Sequence, residues 1–308
     1  MTALLSVEVR RFLARRLVRV MVGLAVFGML LAGTVLFAKS HRLSPSRERT
    51  LVAQAEAGHR ATLQACQSGR FNIPPDEIPP GESLQQFCEQ IVGPVQVEDP
   101  GFHLTSLHDV YLVTNALLIV MFTLLAASFV GAEWHAGTVT TLLTWEPRRL
   151  RVFLAKVLSA AAIAFVGFVA LQAVLGAALA PAAFFRGTTA GADAAWLRSV
   201  AGLVLRAGAV AAMGAAVASS LAFIGRNTAA ALGVAFGYIA VIEPILRGVK
   251  PKWQPWLVYD NVATFIVGHA AGFTVRPRTP AGAGLLVGVY VMALAAVAAG
   301  FFLRRDVT

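Results

Sequence analysis

The sequence predicts an all-α polytopic membrane protein: six transmembrane helices, an N-terminal interfacial helix and a small helical extracytoplasmic insertion. Three observations carry this prediction. Hydrophobic residue types make up 57% of the 308 residues, and the mean hydropathy is +0.69. Only 14% of the residues are charged, against about 25% in soluble domains, so a soluble chain of this length would lack polar surface to cover itself. Six separate apolar runs are each long enough to cross the hydrocarbon core as helices, which takes about 20 residues. The net charge of +10 would suit a nucleic-acid binder if the basic residues shared a solvated face. They lie between apolar runs instead, so the charge reads as topology and nucleic acid is excluded as a partner.

The runs are 20–38, 110–132, 152–180, 200–224, 228–245 and 281–303. The first, second and last carry no charge; the third holds Lys156 near its start, the fourth Arg206 and the fifth Glu243. Their Ala and Leu content favours helix, and the short alternating segments of a barrel are missing. Residues 1–19 thus form an interfacial element and 20–308 a six-span domain. Six spans put both termini on one side. With the termini in the cytoplasm of a plasma-membrane protein, the inner face receives Arg10, Arg11, Arg15, Arg16, Arg19, Arg148, Arg149, Arg151, Lys156, Arg226, Arg304 and Arg305. The outer face keeps Lys250, Lys252, Arg276 and Arg278, plus the basic residues of a long segment that the positive-inside rule discounts. The first span reads as an uncleaved signal anchor, because its apolar run exceeds a signal-peptide core and no small-x-small cleavage site follows at Phe37-Ala38-Lys39.

In the N-terminal stretch, Leu5, Val9, Phe12 and Leu13 share one helical face, and Glu8, Arg11, Arg15 and Arg19 another. Such a helix lies in the interface with its arginines toward anionic headgroups; the alternative is a basic flank that only sets topology. The 39–109 segment is read as extracytoplasmic. Ser44-Pro45 suits a helix start, with Gly69 as its stop. Pro74-Pro75 and Pro79-Pro80 impose an extended loop, and a short helix runs from about Ser83 to Ile91 until Gly93-Pro94. The chain's two cysteines, Cys66 and Cys88, both fall here. Outside the cytoplasm they can pair, closing a loop of roughly 20 residues worth about 3 kcal/mol; in a cytosolic loop they would be free thiols. The segment is either a cap that occludes the mouth or meets a partner, or a passive loop.

The connection after the second span, residues 133–151, runs Glu133-Trp134-His135-Ala136-Gly137-Thr138 and on through Leu142-Leu143-Thr144-Trp145-Glu146-Pro147-Arg148-Arg149 to Lys156 in the third span. It holds more apolar residues than a solvated loop needs, which suggests a protein partner or a helix packed under the bundle. An acid, then Gly-Thr, paired leucines, Pro and Arg, and a Lys entering the next helix resemble the type-2 ATP-binding-cassette permeases, mostly exporters. The resemblance spans most of the chain. It implies that this loop carries a coupling helix docked on a separate ABC ATPase subunit, shaped by Glu133, Gly137, Thr138, Leu142, Leu143, Pro147, Arg149 and Lys156. Trp145-Glu146 departs from the pattern, where a small polar residue is common before the proline. The chain has no Gly-x-x-x-x-Gly-Lys-Ser/Thr loop, so ATP and Mg would be held by the partner, and this chain would be a transport subunit without catalytic residues or a cofactor of its own. A second permease copy or a related permease would complete the pathway. The histidines at 41, 59, 103, 108, 135 and 269 show no metal spacing. A different class of function stays open: a membrane interaction or sensory protein whose cap binds a ligand or partner.

Charges inside spans are functional candidates. Folding the hairpin at Arg226-Asn227 brings Arg206 and Glu243 to similar depth, roughly 6 Å apart along the axis, so they either pair or snorkel separately. Gly208, Ala212 and Ala216, then Gly233 with Gly237 and Gly284 with Gly288, permit close helix contact, as bundle packing or as a dimer seam. Pro244 is expected to end or kink the fifth span. Residues 246–280 then form an outer re-entrant or surface segment, in which 261–267 is too short to span.

Overall fold

The computed structural model describes residues 2–68, 70–71, 83–93, 101–269 and 278–304. The expected stop at Gly69, the prolines at 74, 75, 79, 80 and 94, and Arg276 and Arg305 lie outside those residues. The described chain is all α: α1 (Thr2–Ala14), α2 (Arg16–Lys39), α3 (Pro45–Gln67), α4 (Leu84–Val92), α5 (Leu107–His135), α6 (Thr138–Trp145), α7 (Arg149–Arg186), α8 (Ala194–Gly225), α9 (Thr228–Gly237), α10 (Glu243–Val249), α11 (Val258–Val267) and α12 (Pro280–Arg304). Among the described residues six helices are long and apolar enough to cross a membrane: Arg16–Lys39, Leu104–His135, Arg149–Arg186, Ala194–Gly225, Thr228–Val249 and Pro280–Arg304. The protein is a multi-pass membrane protein.

The chain divides into two compact units. The first comprises Met1–Thr34, Thr105–Leu179 and Ala190–Thr308. Here α8 is the central helix, packed against α5, α12, α9 and α11. Its fully buried stripe is Ala207, Ala211, Ala215, Ala218 and Ala222, whose lack of bulk lets neighbouring helices approach closely. Gly208 serves the same end, because a Cβ there would press on Val169 and Phe165. Gly284 lies under the Phe265 ring, where a Cβ would sit 2.6 Å from its carbons. Gly233, Gly237 and Gly288 meet nothing within 4 Å, so those positions pack no helix of the described chain.

The fifth span, expected to end or kink at Pro244, runs on past it to Val249 with an irregular turn just before the proline. Between α9 and α10 lies a π-helical turn, Tyr238–Ile242, closed by the Glu243 N–H donating to the Tyr238 carbonyl. The wider turn lets the chain restart with Pro244 in the first turn of α10, where its missing N–H costs nothing. A 3₁₀ segment, Pro251–Trp256, leads into α11, which Gly268 ends at φ 88°. That left-handed backbone is open to glycine at little steric cost.

The second unit comprises Val35–Leu104 and Ala180–Thr189, including the last turns of α2 and α7. α7 continues through Pro181 to Arg186, past the expected end at 180. Burial of Ala182 and Ala183 holds that turn, and Arg42 donates to the Phe184 and Gly187 carbonyls at 2.7 and 3.0 Å, satisfying the helix end. α3 and α4 pack side by side, joined by a buried Cys66–Cys88 disulfide with Cα atoms 5.9 Å apart. Ser83 and Gln86 form a reciprocal capping box at the start of α4.

Candidate functional site

α1 is amphipathic, but its polar residues do not all face outward. Phe12 is 1% exposed, and so is Glu8, one helical turn before it. Glu8 was placed on the polar face with the arginines; it points inward, where a cation is buried. Lys156, also 1% exposed, stands on the second turn of α7 and donates from Nζ to Glu8 Oε2 at 2.9 Å. The same Nζ bonds Glu133 Oε2 near the end of α5. Arg15, in the break between α1 and α2, reaches Glu133 Oε1 at 3.3 Å and the Ser128 carbonyl at 2.9 Å. Two acids and two bases therefore balance, with Arg11 at the rim 3.7 Å from Glu8. The Phe129 ring forms the floor: Arg15 and Lys156 lie 4.8 and 5.0 Å from its centroid, and Phe12 packs on it at 4.9 Å. Buried charges persist only when paired and hydrogen-bonded, and here the pairing ties α1, α5 and α7 together.

Beside this cluster hangs α6. Gly137, at φ 67°, turns the chain after α5, and Thr138 Oγ1 donates to the Glu133 carbonyl at 3.3 Å. Val139 is the only buried residue of α6; Leu142 and Leu143 are half-buried, and Pro147 is exposed. Trp145 is 85% exposed, the most exposed large apolar side chain of the described residues. Arg149 turns away from α6 and donates to the Phe302 and Leu303 carbonyls at the end of α12, both at 3.4 Å. An aromatic layer of Trp134, Phe223, Phe302 and Phe153 then joins α5, α8, α12 and α7, with centroids 4.9–6.2 Å apart in successive contacts.

The expected Arg206–Glu243 pair is not formed. Arg206 donates to the Ile266 and Val267 carbonyls at 3.1 and 3.5 Å, at the C-terminal end of α11. Glu243 accepts the Tyr259 N–H at 2.6 Å, at the N-terminal end of the same helix. Each charge has gone to the helix end of opposite sign, where unsatisfied backbone groups await it. The two residues thus clamp α11 from both ends. Arg247 adds an ion pair to Asp260 at 3.2 Å.

No family model, curated protein or solved structure matches the chain.

Among the described residues no group of three or more His, Cys, Asp or Glu could hold a metal. Of the residues singled out from sequence, Glu133, Thr138 and Lys156 meet in one place, with Gly137 as the turn between them. Cys66 and Cys88 form their own pair. Sequence reasoning missed Glu8 and Arg15 as members of the cluster. The available signal was arithmetic: Glu8 is the single acid of the first 47 residues, and Lys156 is the single charge of its apolar run.

Proposed function

We propose that the chain is the transmembrane permease subunit of an ATP-driven ABC exporter, with α6 as the contact for a separate ATPase subunit. The observation that carries this reading is the placement of α6. It presents Trp145 to solvent while its root is fixed, through Glu133 and Lys156, to the ends of two long apolar helices and to α1. A displacement of α6 is then transmitted to α5 and α7 together, because breaking the cluster would leave charge uncompensated. In this reading α6 and both termini face the cytoplasm, and residues 39–109 lie outside, where a disulfide persists. Two copies, or one copy and a related permease, form the pathway between them. ATP and Mg sit on the partner, and closure of the ATPases draws the two α6 helices together.

The experiment is co-purification. The chain is expressed with its neighbouring genes and extracted in mild detergent. The expected result is a bound ATPase whose activity depends on Thr138–Arg149. Extraction with no ATPase partner would remove the exporter reading. The disulfide-tied α3–α4 pair favours a second reading, an interaction or sensory protein that binds through that unit. That reading predicts a partner or ligand lost on changes in 45–92 and untouched by changes in α6.

A further inference from the structure

Around the start of α11 three buried acceptor oxygens and one buried donor, Arg247 Nε, have no partner, so acceptors are in excess. Glu243 and Asp260 are 1% and 3% exposed, and both face a single guanidinium nitrogen, Arg247 Nη2, at 4.0 and 3.2 Å. Glu243 Oε1 also takes the Tyr259 N–H. The second oxygen of each carboxylate, Glu243 Oε2 and Asp260 Oδ2, is buried without a donor. Asn261 is wholly buried; it gives Nδ2 to the Pro255 and Leu257 carbonyls and leaves Oδ1 without a donor too. Two carboxylates against one guanidinium leave one negative charge in excess, in a place where uncompensated charge is costly. One hydrogen ion removes both deficits. It cancels the charge, and it converts an orphaned oxygen into an O–H donor.

Among the described residues, Arg247 is the base that forms ion pairs with these two carboxylates. Tyr238 faces Glu243 from the π-helix, and Tyr290 faces Tyr238 from α12. Arg278 is engaged by the Pro255 carbonyl and the Trp256 ring. Arg206, from α8, is held at the far end of α11. Lys250 and Lys252 are exposed. Burial pushes the Asp260 carboxyl above the ordinary carboxylate range, against the lowering effects of Arg247 and Gln254.

We propose that Glu243 and Asp260 hold one proton between them, so that the joint of the π-helix, α10 and α11 is a proton-binding site. The exchange is a simple ionisation, a carboxyl releasing H⁺ to water past the part-exposed Arg247. Its place matters: Glu243 stands where the π-helix ends, π-turns inside helices are frequent at functional sites, and its carboxylate holds the N-terminal end of α11. Protonation there weakens the charge-assisted bond to Tyr259 and frees Arg247 for Asp260. The inference is independent of the exporter reading, and ATPase binding does not test it.

The test is infrared difference spectroscopy of the full-length chain in lipid nanodiscs at neutral pH. The wild type should show the C=O stretch of a protonated carboxyl that shifts in D₂O. Both Glu243→Gln and Asp260→Asn should abolish it, because either leaves one carboxylate matched by Arg247. A wild type without the band, or a band that survives in either variant, overturns the proposal. So does a band displaced by added Na⁺ or Ca²⁺, which would make the occupant a metal ion. Should a variant fail to fold, the wild-type band decides alone: its loss as pH rises from mildly acidic to alkaline supports the site, and a band unchanged across that range refutes it.

Discussion

Replacing Lys156 with methionine is the sharpest perturbation of the structure. The side chain is 1% exposed and neutralises two carboxylates at once. Without it, Glu8 keeps only Arg11 at 3.7 Å, at the rim, and Glu133 keeps only Arg15 at 3.3 Å. Leaving out Arg11, whose side chain is half exposed, the cluster goes from two acids and two bases to two acids and one base, one excess negative charge. Removing one partner of a buried pair costs about 3–5 kcal/mol, since the remaining charge stays uncompensated, and that is the loss expected for Lys156→Met. Glu8→Gln should cost less, about 1–3 kcal/mol, because Lys156 retains Glu133. In the double variant Glu133 and Arg15 balance again. Its cost should therefore fall short of the sum of the single costs by more than about 1 kcal/mol. Reversible unfolding in mixed micelles, followed by tryptophan fluorescence, gives the three differences. Additivity within about 0.5 kcal/mol would refute the cluster as a coupled unit.

Reduction of Cys66–Cys88, or Cys88→Ser, should destabilise the α3–α4 pair by about 3 kcal/mol, from the 22-residue separation that the bond closes. Limited proteolysis should then cut within 45–92 while α5–α12 stay protected. Glu243→Ala should speed hydrogen exchange of the Tyr259 amide, which loses its acceptor, whereas Arg206→Met should leave that amide unchanged, since Arg206 serves the other end of α11. Gly284→Ala should destabilise the chain, because the new methyl meets the Phe265 ring, while Gly233→Ala, facing open space, should gain up to about 1 kcal/mol from helix propensity. Thermal unfolding of the two alanine variants reads that contrast directly.

The membrane class and the six helices were legible because they depend on run length and composition, which are local properties. Places where a distant partner decides were not. Glu8 read as part of the polar face because helical periodicity sorts residues by local pattern, and its partner lies 148 residues away in sequence. Arg206 and Glu243 looked like a pair because depth along two helices was the only geometry available; the ends of a third, short helix compete for both charges and win. Pro244 was expected to end or kink the fifth span on backbone grounds, and the third apolar run was expected to close at 180. In the first case a π-turn absorbs the missing N–H, and in the second buried alanines and Arg42 hold the extra turn. Of the loop motif, Glu133, Thr138 and Lys156 are held close together, while Arg149, in line with them in sequence, is drawn off to α12.

The central claim is that α6 meets an ATPase. The sequence has two cysteines, both in the disulfide, so Trp145→Cys introduces a single free thiol at the exposed tip of α6. Labelled with a photo-crosslinker in cells that express the neighbouring genes, position 145 should form an adduct with a nucleotide-hydrolysing protein, and the same label at Val52 on α3 should not. Adducts at position 145 with lipid alone, or with proteins lacking ATPase activity, would contradict the account.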